Sequence, residues 1–157
     1  MVRRLREPPA TEASAIQIRS ATRDDVPCIV ALLADDPLGG QREATASLAH
    51  YLAAYDALAR DPAVHCLVAV DERAIVIGYV QITITRHLSY RGACRALVED
   101  LRVASARRSV GVGTRLVESA IAAARSSGCD VAQLFAHRSR NCAHRLYRRM
   151  GFQADPT

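Results

Sequence analysis

The chain has 157 residues, of which 50% are hydrophobic and 4% aromatic with no Trp, so it suits one domain whose core rests on Ala, Val, Leu and Ile. The formal net charge is +5, and every basic side chain apart from His is Arg because Lys is absent. That excludes motifs built on Lys and points local Arg clusters at an anionic partner such as a polyphosphate.

Residues 1–14 are polar, contain Pro8 and Pro9, and are expected to form a flexible tail ahead of a single domain over 15–157. Ile16-Gln17-Ile18-Arg19 alternates as a first strand. Thr22 stands three before Asp25, close to a capping box, and Pro27 falls in a first helical turn, followed by Val26, Ile29, Val30 and Leu33 at helical spacing. Residues 35–40 read as a loop. Leu48, Tyr51, Leu52, Tyr55 and Leu58 carry a second helix that stops near Asp61-Pro62.

The period then changes. Residues 65–70 form a strand, 71–73 a turn, and 74–85 a long strand in which Tyr79, Gln81 and Thr83 alternate with Val80, Ile82 and Ile84. After a polar connection over 86–94, residues 95–103 return as the third strand of a meander. Leu116, Val117, Ala120, Ile121 and Ala124 mark a helix that Gly128 stops. Residues 130–136 form a strand with Val131, Gln133 and Phe135 on one face. Residues 140–150 form a last helix with Ala143, Leu146, Tyr147 and Met150 in one stripe, capped by Gly151 before apolar Phe152. The order predicts a mixed α/β fold, with the strands on either side of the crossover helix running parallel.

Five cysteines, Cys28, Cys66, Cys94, Cys129 and Cys142, are scattered without a Cys-x-x-Cys pair. They read as reduced, mostly buried small residues rather than a disulfide framework, with no metal site. No run has the length and apolarity of a membrane helix, and the start lacks an apolar signal core. A cytoplasmic protein with no membrane partner is expected.

The chemistry concentrates between Val98 and Thr114. The strand there carries adjacent acids, Glu99 and Asp100, and leads to Arg108-Ser109-Val110-Gly111-Val112-Gly113-Thr114 at a helix start. Free N–H groups and the positive end of a helix dipole suit phosphate at that point. A Walker loop needs Lys, which is absent. A dinucleotide fingerprint needs a third Gly where Leu116 stands, and an acid after the next strand where Ala136-His137 stands. The remaining pattern, Arg/Gln-x-x-Gly-x-Gly/Ala after a strand, is matched by Arg108 to Gly113.

These residues resemble the GNAT superfamily of N-acetyltransferases. The resemblance runs from Ile16 to Phe152 and is supported by Ala143-x-x-x-Tyr147-x-x-x-Gly151-Phe152. It implies a mainly antiparallel sheet with a splayed parallel central pair, helices on both faces, and acetyl-CoA as co-substrate. Arg108, Ser109, Val110, Gly111, Val112, Gly113 and Thr114 would hold the pyrophosphate, with Arg107 adding charge. Leu101, Arg102 and Val103 would run beside the pantetheine arm, and an N–H near Leu101 would polarise the acetyl carbonyl. Tyr147 matches the family tyrosine that protonates the departing thiolate. Glu99 is the candidate base, with Asp100 its rival: alternation sends the two to opposite faces unless a bulge intervenes. By the same resemblance Asp35, Asp36 and His87 border the acceptor, a small-molecule amine.

Three features depart from the family pattern. Ser109 stands for a common Gly, Asn141 lies two rather than three residues before Ala143, and the two usual closing strands after Gly151-Phe152 are cut to a stub. The edge of the 130–136 strand is therefore expected to be open, to be covered by a partner in a homodimer, or to leave the acceptor site incomplete. An inert CoA-binding or interaction module is the competing reading. Nucleic acid is not an expected partner, since no recognition helix or interleaved aromatics accompany the Arg residues.

Overall fold

The computed structural model describes residues 1–5, 15–35, 37–43 and 45–154. Strands β1 (Val2–Arg4) and β2 (Gln17–Ser20) are followed by a 3-10 turn, Arg23–Asp25, and helices α1 (Val26–Ala34), α2 (Pro37–Glu43) and α3 (Leu48–Arg60). The meander is β3 (Val64–Val70), β4 (Val76–Arg86) and β5 (Cys94–Val103), with a single turn α4 (Ser89–Gly92) between the last two. Helix α5 (Val112–Ser126), strand β6 (Val131–Leu134) and helix α6 (Asn141–Arg149) complete it.

One sheet of order β1-β6-β5-β4-β3-β2 results. Every neighbouring pair is antiparallel except β5 and β6, which run parallel as the crossover requires. Alternation splits β4 between two cores. Val80 and Ile82 face α5, whose Val112, Leu116, Val117, Ala120, Ile121 and Ala124 are buried against them. Tyr79 faces Ile29 and Leu32 of α1. Val80 and Ile82 are both 0% exposed, and each such side chain contributes about 2 kcal/mol by leaving water.

Helix starts and stops follow the expected chemistry. Thr22 N donates to Asp25 Oδ2 at 2.7 Å, and Arg19 clasps the same carboxylate at 2.6 and 3.0 Å. Gly128 (φ 79°) and Gly151 (φ 84°) end α5 and α6 in the left-handed region. Phe152 N then donates to Tyr147 O at 2.9 Å, and the two rings meet edge to face at 5.9 Å.

Five expectations are corrected. Val2–Arg4, placed in a tail, is a strand antiparallel to β6, and Met1 and Leu5 pack on the α5 core. The β6 edge expected to be open is therefore covered, and Gln153 bridges to Val2 on the far side of β1. Val2 to Leu5 shows no alternation; its extended form comes from pairing with an available edge rather than from propensity. The loop over 35–40 is replaced by α2 from Pro37, with Asp35 as the cap of α1; Asp36 lies outside the described residues, as do 6–14 of the expected tail. The strand expected to reach Ala136 stops at Leu134, leaving Phe135 75% exposed. The connection over 86–94 holds α4, with Tyr90 (φ 52°) and Arg91 (φ 64°) left-handed.

Candidate active site

The two acids on β5 are separated by a bulge. Gln81 pairs with Glu99 and Tyr79 with Arg102, so Val80 alone faces both Asp100 and Leu101. Asp100 is the pivot at φ 52°, a conformation that Asp tolerates better than most residues. The extra residue resets the alternation. Leu101 and Val103 reach the same core as Val98, while Glu99 stays on the face of Gln81 and Tyr79. Asp100 is exposed and Glu99 half-buried. Burial, and then the charge of Asp100, pushes the Glu99 carboxyl above its ordinary value, the direction a base working near neutrality requires. Beside it, Tyr79 is 5% exposed, donates to Gln81 Oε1 at 3.3 Å and contacts Cys66 Sγ at 3.5 Å; burial pushes its phenol strongly upward.

Past this point β5 has an unpaired edge. Its pairing with β6 covers Arg95 to Val98 and ends at Leu134, while β5 runs on to Val103. Among the described residues no strand pairs with β5 from Glu99 to Val103 on that side. The gap leads to the α5 loop, where Ser109 (φ 65°) and Gly111 (φ 92°) are both left-handed. Nothing lies within 4 Å of a Cβ placed on Gly111, so its value there is conformational. Arg115 N to Gly111 O at 3.0 Å bonds the first turn of α5, so the amides of Val112, Gly113 and Thr114 precede the intrahelical ladder and face outward for an acceptor. Arg108 is exposed beside them, its Nε 3.3 Å from Val103 O. A free strand edge running into an amide-rich helix start fits a molecule with an amide-bearing arm and a pyrophosphate, which is the shape of acetyl-CoA.

Three expected site residues are engaged by other groups or stand apart. Arg107 is not directed at the loop: its Nη2 bonds Asp71 Oδ2 at 2.7 Å. That carboxylate is buried in the β3–β4 turn, and its other oxygen accepts from Arg73 N and Ile75 N, which together hold the Asp71 carboxyl below its ordinary value. Asp35 accepts from Ser105 Oγ at 2.6 Å and lies 4.0 Å from Arg108, tying α1 to the loop before α5. His87 follows β4 at the far end of the hairpin, six residues and about 20 Å of strand from the Gln81–Glu99 pair. A cavity of about 540 Å³ at the end of α1 is lined by Cys28, Ala31, Leu32, Ala34, Asp35 and Val76, and neither Glu99 nor Tyr147 lines it.

Tyr147 is 7% exposed on α6 and belongs to the α5-side core together with Leu101 and Val103. Burial raises its phenol, while the charges of Arg102 and Arg140 pull the other way. The proton therefore stays on oxygen through neutral pH.

Other contributors were legible only as weak signals. A Cβ on Gly78 would stand 2.7 Å from Leu116 Cδ1 and 3.1 Å from Arg102 O, so α5 can seat on β4 only over a glycine. An isolated Gly in a strand pattern is the signal for such an approach. Gly113 is also a packing position, with Leu146 Cδ2 3.2 Å from its would-be Cβ. Glu43, at the end of α2, accepts from Tyr51 of α3 and from Arg42 Nε at 2.7 Å, and lies within electrostatic reach of Arg102. No local pattern joins those residues.

The description of the acetyltransferase (GNAT) family matches residues 16–152, and the chain belongs to that family. Being an acetyltransferase follows from it. Among solved structures, a protein described as a transcriptional regulator from Bacillus halodurans C-125 is 35% identical, with a TM-score of 0.84 over 90% of this chain and 95% of that one. Glucosamine-6-phosphate N-acetyltransferase from Arabidopsis thaliana shares the fold at 17% identity and TM-score 0.75, covering 92% and 95%. A predicted acetyltransferase with acetyl-CoA from Clostridium acetobutylicum does so at 14% and 0.70, covering 90% and 92%. None of the curated proteins matches the chain. Among the described residues no group of His, Cys, Asp and Glu could hold a metal ion, and no helix is long and apolar enough to cross a membrane.

Proposed function

We propose that the protein transfers the acetyl group of acetyl-CoA to the primary amine of a small molecule by direct attack. The observation that carries this is the unpaired β5 edge between Glu99 and Val103, which joins a desolvated acid to an amide-rich helix start. Acetyl-CoA supplies the activated acyl group. Val112, Gly113 and Thr114 amides with Arg108 hold its pyrophosphate, and the Leu101–Val103 edge aligns its arm. Glu99, on the cleft face of β5, takes a proton from the incoming ammonium directly or through water. Asp100 sets the bulge that aims Glu99, and Tyr147 gives its phenolic proton to the departing sulfur. A cytoplasmic location belongs to the same reading.

The competing reading, an inert module, drew on an incomplete sheet end. β1 now covers that edge, which favours turnover. Release of free CoA with a panel of amines, aminosugars, polyamines and N-terminal peptides decides between them. Acceptor-dependent release is expected, greatest with small amines. Binding of acetyl-CoA with no release for any acceptor would establish the inert module, and release with peptides alone would move the acceptor to protein.

A further inference from the structure

Cys94 opens β5, and Cys129 lies in the turn between α5 and β6; they are 4% and 6% exposed. One backbone bond already fastens the two segments, and another holds the turn that carries Cys129. Asp130 N donates to Cys94 O at 3.2 Å, and Cys129 N to Ala124 O at 3.0 Å. The two Sγ atoms stand 2.7 Å apart, nearer than unbonded sulfurs rest and close to the reach of an S–S bond of about 2.05 Å. No other cysteine has a second sulfur beside it among the described contacts. Cys28 and Cys142 are exposed, with Cys142 contacted by Arg145, and Cys66 packs against the Tyr79 hydroxyl.

We propose that Cys94 and Cys129 are a disulfide-forming pair, a modification site that staples the closed end of the β5–β6 strand pair. The bond would sit just before the Arg95–Val131 rung, one residue back on β5 and two on β6, at the opposite end of the pair from the gap beyond Val98 and Leu134. It would fix the hinge of that gap without entering it. All five cysteines are free thiols in the structure, as expected; the proposal concerns the bond this pair can form on oxidation.

The oxidant is a low-molecular-weight disulfide such as oxidised glutathione. One cysteine thiolate attacks it, its S–S bond breaks, and one glutathione thiolate leaves and takes a proton. The second cysteine thiolate then displaces the second glutathione. The protein loses two protons and two electrons, and the oxidant becomes two thiols. Burial, with the neighbouring Cys94 adding to it, pushes the Cys129 thiol up to about 12. Thiolate is therefore scarce at neutral pH, and the bond forms slowly, after local opening, and faster in alkali.

The test is to incubate the protein with oxidised glutathione at about pH 9, then count thiols in denaturant and map non-reduced tryptic peptides by mass. The 92–95 peptide is expected joined to 126–138, distinguished by mass from any glutathione adduct on the exposed Cys28 and Cys142. The link spans 35 positions, so the melting temperature is expected to rise by about 10 °C and to return with dithiothreitol. Cys129→Ser should give no linked peptide and show no rise; should it fail to fold, the wild-type peptide map alone decides. Five thiols surviving a treatment that cross-links the denatured chain, or bridges that involve Cys28 or Cys142, would overturn the pairing.

Discussion

The two sides of β5 are built by different means. Towards α5 the features are backbone: an unpaired strand edge, two left-handed loop residues and the amides of one helix turn, all within Glu99 to Thr114. Under α1, α2 and α3 they are side chains joined across the chain: Glu43 is held by Tyr51, and Asp35 by Ser105 seventy positions away. Backbone features depend on local conformation and tolerate many side chains, whereas side-chain contacts depend on tertiary placement. In the proposed reaction the donor half is therefore written locally, and the acceptor half is assembled only by the fold.

The sharpest way to break this contrast is at Glu99, which stands where the halves meet. Glu99→Gln should lower kcat about 10²- to 10³-fold while acetyl-CoA affinity, measured by calorimetry, stays within about twofold. The wild-type rate should rise with pH as Glu99 loses its proton, with a midpoint above the ordinary 4.5 because its pKa is raised, and the variant should lack that limb. Tyr147→Phe is the next largest, an expected drop of about 10- to 100-fold in kcat with CoA affinity again unchanged. Equal losses in kcat and in affinity would instead make Tyr147 a packing residue.

Two neighbouring arginines sharpen the donor side. Arg108→Ala should weaken acetyl-CoA binding about fivefold. Arg107→Ala should leave it unchanged and lower the melting temperature by ~3 °C, because Arg107 serves Asp71. The reverse pattern would return Arg107 to the phosphate site. Smallest is Ser109→Gly. Removing a side chain from φ 65° should stabilise the protein by about 0.5 kcal/mol, read by denaturant melts, with no loss of cofactor affinity.

What could be read from residues alone follows the same division. Strand alternation, the crossover and the glycine stops gave the sheet, the parallel pair and the helices, because each is a local pattern. Whether a bulge separates Glu99 from the residues after it could not be read from alternation, and the left-handed Asp100 shows that one does. β1 escaped because three residues without alternation carry no period; its strand exists only through the β6 edge. Arg107 escaped because an arginine before a phosphate loop looks alike whether it meets phosphate or a buried Asp71 on a distant turn. Asp35 and His87 were placed by analogy of position; the hairpin register sets His87 at the other end of β4, and Asp35 is engaged by Ser105. Gly78 carried a signal, a lone glycine in a strand, that points to close packing without naming the helix above it.

The most direct measurement is calorimetric titration of acetyl-CoA into the wild-type protein and into Gly111→Val. One site per chain is expected in the wild type. Binding should be at least about tenfold weaker in the variant, because a β-branched residue cannot hold φ 92° and the amides of the first turn lose their alignment. Absence of heat at millimolar acetyl-CoA, or equal affinity in the two proteins, would contradict the assignment of this backbone as the donor site.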